Sequence, residues 1–150
     1  MKDKLIGFML LPLFAGAAMA AEPQTVVSIE NEDSYLVDSG SYISASGYYY
    51  KDASGNIHRG PVYNVGEFTI DGIFESKYTA SELSLFDADK ILGSGELRVA
   101  SGLYLAPTAN MSGFSGKISI FKAHDAQNPA IIFVSQTNNP AKASFELAEG

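Results

Sequence analysis

From residue 24 onward the chain alternates apolar and polar positions in twos, the period of a half-buried strand. Over residues 24–30, Thr25, Val27 and Ile29 fall on one face before Glu30-Asn31-Glu32-Asp33 interrupts them, and Ser34 to Val37 resumes the pattern. Residues 42–50 place Tyr42, Ser44, Ser46, Tyr48 and Tyr50 on one face and Ile43, Ala45, Gly47 and Tyr49 on the other. Phe68, Ile70 and Gly72 alternate against Glu67, Thr69 and Asp71, and further strands are predicted over 82–86, 96–105, 116–123 and 142–147. Ala130 to Val134 is a continuous apolar run, which fits a strand buried on both faces. No window carries a convincing helical period, although Ala80-Ser81-Glu82 would suit the cap of a single helical turn.

Turn chemistry separates these segments. Lys51 to Asn56 reads as a hairpin loop ending in Gly-Asn, and Ser39-Gly40, Asp87 to Lys90 and Thr137 to Pro140 read as turns. Pro61 lacks an N–H, so its strand is expected at an edge or a bulge. Roughly eight to ten short strands with frequent turn signals predict an all-β chain, built as a single antiparallel sandwich or small barrel. No internal repeat and no linker emerge, so residues 21–150 are expected to form one all-β domain.

The first 20 residues stand apart. Lys2 and Lys4 precede an uncharged run from Leu5 to Ala20, and Ala18-Met19-Ala20 places small residues before Ala21. A basic start, an apolar stretch and an A-x-A site are the marks of a secretory signal peptide over residues 1–20. The run is about 16 residues and contains Pro12, short of the ~20 that span hydrocarbon. The expectation is export through the inner membrane to the periplasm or the cell exterior, with no membrane span once the leader is removed.

Charge narrows the partners. The chain has 10 basic and 17 acidic residues. Removing Lys2, Lys4 and Asp3 leaves 8 and 16, a net charge of −8. Such a chain is repelled by phosphate backbones, so no nucleic-acid partner is expected. Cys is absent, which removes thiolate nucleophiles, disulfides and Cys-ligated metals; Trp is absent as well, leaving Tyr as the stacking surface.

The chemistry-bearing residues are few. His58 and His124 are the two histidines, and neither sits in a ligand spacing such as H-x-H or H-E-x-x-H. The acidic clusters Glu30 to Asp33 and Asp87 to Asp89 do not match the twelve-residue EF-hand calcium loop, and solvated strand ends account for both. Gly93-Ser94-Gly95 and Gly113-Phe114-Ser115-Gly116 lack the strand-turn-helix setting of a nucleophile elbow. No catalytic residue, no metal ligand and no cofactor is assigned.

Two binding features are. With Tyr49 inward, Tyr42, Tyr48 and Tyr50 form an outward aromatic stripe suited to stacking on a sugar or seating a partner chain. Thr25, Val27 and Ile29 suit a strand offered to another sheet edge. The segment Ala109 to Ile120 (ANMSGFSGKISI) is similar to a late Gly-x-Tyr-Ser-Gly strand of fimbrial subunits, with Met111 and Phe114 where Gly and Tyr would be expected. That resemblance implies a surface-fibre subunit. The expected function is therefore non-catalytic: an exported β-domain acting through surface contact, as an adhesive, fibre-subunit or protein-binding module. Its partner is expected to be a protein or a surface, and an oligomer is compatible with this reading. The alternative is a small β-barrel holding a hydrophobic or sugar-like ligand.

Overall fold

The computed structural model describes residues 21–47, 50–51, 53–76, 84–99, 103–105, 109–121 and 142–148. Fourteen strands are present among them and no helix. They are β1 (Gln24–Val26), β2 (Ile29–Glu30), β3 (Ser34–Val37), β4 (Tyr42–Ala45), β5 (Tyr50–Lys51), β6 (Ile57–His58) and β7 (Pro61–Ile70). After them come β8 (Ile73–Ser76), β9 (Ser84–Gly93), β10 (Glu96–Val99), β11 (Leu103–Leu105), β12 (Asn110–Phe114), β13 (Lys117–Phe121) and β14 (Ser144–Ala148). No helix among these residues is long and apolar enough to cross a membrane.

The all-β expectation holds, but the antiparallel sandwich or barrel does not. One six-stranded sheet runs β1-β4-β8-β10-β13-β14, and a second is built on β2 and β3 against β7, then β9, then β11 and β12. Every pairing in both sheets is parallel. Among the described residues only β5 and β6 pair antiparallel, as the ribbon predicted around Lys51 to Asn56, with Gly55 at φ +88°. In the first sheet Gln24 pairs with Ile43, Tyr42 with Ile73, Ile73 with Glu96, Glu96 with Lys117, and Lys117 with Ser144. Successive turns of the chain therefore take 19, 31, 23, 21 and 27 residues. A chain that returns over itself in parallel, turn upon turn, is a β-solenoid.

An internal repeat follows, contrary to the sequence expectation. Gly40 to Ala45, Asp71 to Ser76, Ser94 to Val99, Ser115 to Ile120 and Lys142 to Leu147 occupy equivalent places on successive turns. The corner pairs Gly40-Ser41, Asp71-Gly72, Ser94-Gly95, Ser115-Gly116 and Lys142-Ala143 each contain at least one small residue and precede the strand. At the corner the amide of Ile73 donates to the Ser41 carbonyl, Glu96 to Gly72, Lys117 to Gly95 and Ser144 to Gly116, at 2.8 to 3.0 Å. This close stacking explains the glycines. A Cβ on Gly95 would lie 2.1 Å from the Gly72 carbonyl oxygen, and one on Gly116 2.0 Å from that of Gly95. At another corner Asn31 and Asn64 stack with φ of 57° and 52°, and the Asn64 amide donates to the Asn31 side-chain oxygen at 2.8 Å.

The interior is built by like positions on successive turns. Ile43, Phe74, Leu97 and Ile118 form one inward row of the first sheet, all buried. Phe68 and Phe86 enter from the second sheet and meet Phe74 edge-to-face, with ring centroids 5.0 to 5.6 Å apart. The predicted alternation of Phe68 and Ile70 against Glu67 and Thr69 is observed, with the two apolar residues fully buried. Asp87 to Lys90, expected as a turn, lies within β9: Ala88 is buried, while Asp89 and Lys90 are exposed. Pro61 opens β7, whose pairing with β9 shifts register between Val62 and Val65; the bulge is observed, but β7 has neighbours on both sides. The Ala80-Ser81-Glu82 cap, the Ala130 to Val134 strand and His124 lie outside the described residues.

Candidate functional site

The outward rows of the first sheet bring together polar groups that are far apart in the chain. Parallel register aligns Tyr42, Ile73, Glu96, Lys117 and Ser144 in one row, and Thr25, Ser44, Glu75, Arg98, Ser119 and Glu146 in the next. The Tyr42 hydroxyl donates to Glu75, and the Ser44 hydroxyl donates to its other carboxylate oxygen at 3.3 Å. The Arg98 guanidinium lies 5.1 Å from the centre of the Tyr42 ring and 3.2 Å from Glu96. Ser119 donates to Glu96 at 2.6 Å, and Lys117 bridges Glu96 at 3.1 Å and Glu146 at 3.0 Å.

This ladder is internally satisfied. Burial raises the Glu96 carboxyl's pKa, but hydrogen bonds from Ser119, Arg98 and Lys117 outweigh it and hold the group below its ordinary 4.5. Tyr42 is pushed up, first by burial and then by its bond to Glu75, so it stays a neutral donor. The hydrogen bond that Arg98 donates to Glu96 raises the pKa of Arg98 despite its burial. Such an arrangement fixes charges in place and keeps the Glu96 carboxyl an ionised acceptor rather than a proton donor.

The predicted stripe is divided by the fold. Tyr42 stands on β4 in the ladder, half-buried, whereas Tyr50 lies on β5 in the separate two-stranded ribbon. Tyr48 and Tyr49 are outside the described residues. Gly47 ends the predicted long strand by approaching Gly60, where a Cβ would lie 2.5 Å from the Val27 carbonyl oxygen. The predicted strand-addition segment is likewise split. Thr25 is exposed on β1, Val27 projects from the bend at 72% exposure, and Ile29 is buried on β2. β1 pairs with β4 and β2 with β7, so this segment forms the first turn of the chain's own solenoid.

Sequence reasoning missed the strongest exposed apolar feature. Phe145 and Leu147 continue the inward rows, in register with Ile118 and Ile120, yet are 53% and 79% exposed. β14 ends the first sheet, so one side of this strand has no neighbour among the described residues. Among the described residues, four of the five large exposed hydrophobics, Val27, Leu36, Phe145 and Leu147, lie on the first and last turns. The signal was present in the repeat, since Phe145 and Leu147 stand where Phe74 and Ser76, or Leu97 and Val99, stand on earlier turns.

Against protein-family models, curated proteins and solved structures, the chain has no significant match. Its reading rests on its own geometry. That geometry includes an open cleft of about 390 Å³ at the glycine corner, lined by Ala21, Gly40, Ser41, Asp71, Gly72, Ile73, Gly95 and Glu96.

Proposed function

We propose that the protein is an exported, non-catalytic β-module that works by surface contact, its leader spanning residues 1–20, and that the contact is strand addition at β14. The observation that carries this reading is the placement of Phe145 and Leu147 at core positions of an edge strand while they stay exposed. Unpaired edge N–H and C=O groups beside an apolar face bind an extended partner through main-chain hydrogen bonds, with alternate side chains filling the face. Edge strands that avoid this carry inward charges or proline; β14 presents Phe and Leu inward instead.

A labelled peptide covering residues 142–148 (KASFELA) is the probe. It is expected to bind the chain, read by fluorescence anisotropy, and to lose binding to a Phe145→Asp/Leu147→Asp variant whose circular dichroism is unchanged. A peptide with Ser at both apolar positions should not bind. Equal binding to chain and variant, or none to either, overturns the open-edge reading.

A further inference from the structure

We infer that the strand added to β14 is β14 of a second copy, related by a twofold axis normal to the sheet and passing midway between the Glu146 residues of the two copies. The inference rests on the open-edge reading above and names its partner.

The opposite end of the stack is closed to the same contact. Register puts Gln24, a polar residue, in the inward row occupied by Ile43, Phe74, Leu97 and Ile118. Pro23 falls in the row of Ile73, Glu96, Lys117 and Ser144, whose amides each donate to the corner carbonyl of the preceding turn. Proline has no such donor. A head-to-tail contact of β14 with another copy's β1 would lose that bond and seat polar Gln24 over Phe145, leaving Val26 over Leu147 as its one apolar pair in the inward rows. The N-terminal end is a cap, and the C-terminal end is a socket.

β14 is suited to pair with itself. Its five residues, Ser144 to Ala148, are centred on Glu146. A twofold along the sheet normal reverses strand direction while keeping the inner face on the same side. Phe145 then faces the second copy's Leu147, and Leu147 its Phe145, so both pairs extend the inward rows. Glu146 faces its own equivalent on the outer side, where like charges oppose pairing. Each Glu146 has Lys117 of its own chain at 3.0 Å, so the junction holds two carboxylates and two ammonium groups. The result is an isologous, closed dimer, the commonest oligomer symmetry.

The chain recovered from expression of all 150 residues is to be weighed by light scattering over a wide concentration range. The mass is expected to double and then saturate, and Phe145→Asp/Leu147→Asp should stay monomeric throughout. Pro23→Ala should leave the equilibrium unchanged. Because the chain has no cysteine, Glu146→Cys gives a clean reporter that does not depend on the double variant folding. Directly opposed residues of an antiparallel pair lie ~4.5–5.5 Å apart at Cα, within disulfide reach. The variant should oxidise to a covalent dimer, and Thr25→Cys should not. Mass that climbs beyond two copies, strengthening by Pro23→Ala, or cross-linking through Thr25 in place of Glu146 overturns the proposal in favour of head-to-tail growth. A monomer at every concentration also overturns it; if the peptide still binds, the open edge stands and only the identity of its partner falls.

Discussion

Glu96 shows how a residue's neighbours, more than its exposure, decide its charge. Its carboxylate accepts from Ser119 and is bridged by Arg98 and Lys117, contributed by its own strand and the next turn. Because its pKa lies below the ordinary value, the unfolded chain binds a proton more readily. The stabilisation is present above pH 4.5 and is lost as pH falls through the folded-state value. Glu96→Gln should therefore lower the urea midpoint at neutral pH, with the gap to the parent narrowing in acid. A gap that is constant with pH would refute the assignment. Alternation alone placed Tyr42 and Ser44 on one face, where both donate to Glu75, although Ser44 is fully buried there; that shared acceptor comes from a turn 31 residues on, beyond any local pattern.

At the scale of the element, the same sequence position has opposite consequences on different turns. Phe74 on β8 is fully buried between Phe68 and Phe86, and Phe145 occupies the equivalent place on β14 at 53% exposure. Phe74→Ala should cost ~3–5 kcal/mol, whereas Phe145→Ala should stay within about 0.5 kcal/mol for the dilute monomer. Denaturant unfolding of the two variants checks this, and comparable losses would mean that β14 is covered within its own chain. Strand existence was readable from alternation for β3, β4, β7, β10, β13 and β14, whereas β1 and β2 read as one strand over 24–30 and the break at Asp71-Gly72 that separates β8 from β7 was not read. The misreading of Asp87 to Lys90 has a local cause. Asp and Lys at alternate positions look like turn residues, but Ala88 between them packs inward opposite Val65.

For the whole molecule, a solenoid's stability is the sum of turns and the interfaces between neighbours. Interior turns have two interfaces and terminal turns one, so local opening should be easiest at the ends. Amide exchange of the dilute chain should be slowest in β7, β8, β9 and β10 and fastest in β1 and β14. At concentrations that populate the dimer, β14 alone of the two ends should gain protection. Uniform protection along the stack would contradict turn-by-turn cooperativity, and gain at β1 would contradict the assignment of cap and socket.

The sequence by itself determined that this chain is all-β, where many of its strands lie and which side chains share a face. Those properties follow from a period of two, which belongs to each strand alone. It could not determine that the strands run parallel, because alternation is the same in either direction and turn residues mark a bend without choosing the next neighbour. That choice lies in contacts between segments 19 to 31 residues apart, where glycine corners admit backbone amides onto the carbonyls of the previous turn. The variable length of the turns hid the repeat. Stacking decided the rest: it assembled the Tyr42–Glu146 ladder, put Tyr50 in a separate sheet, and carried Phe145 and Leu147 to the exposed end of a core whose rows begin at Gln24 and Val26.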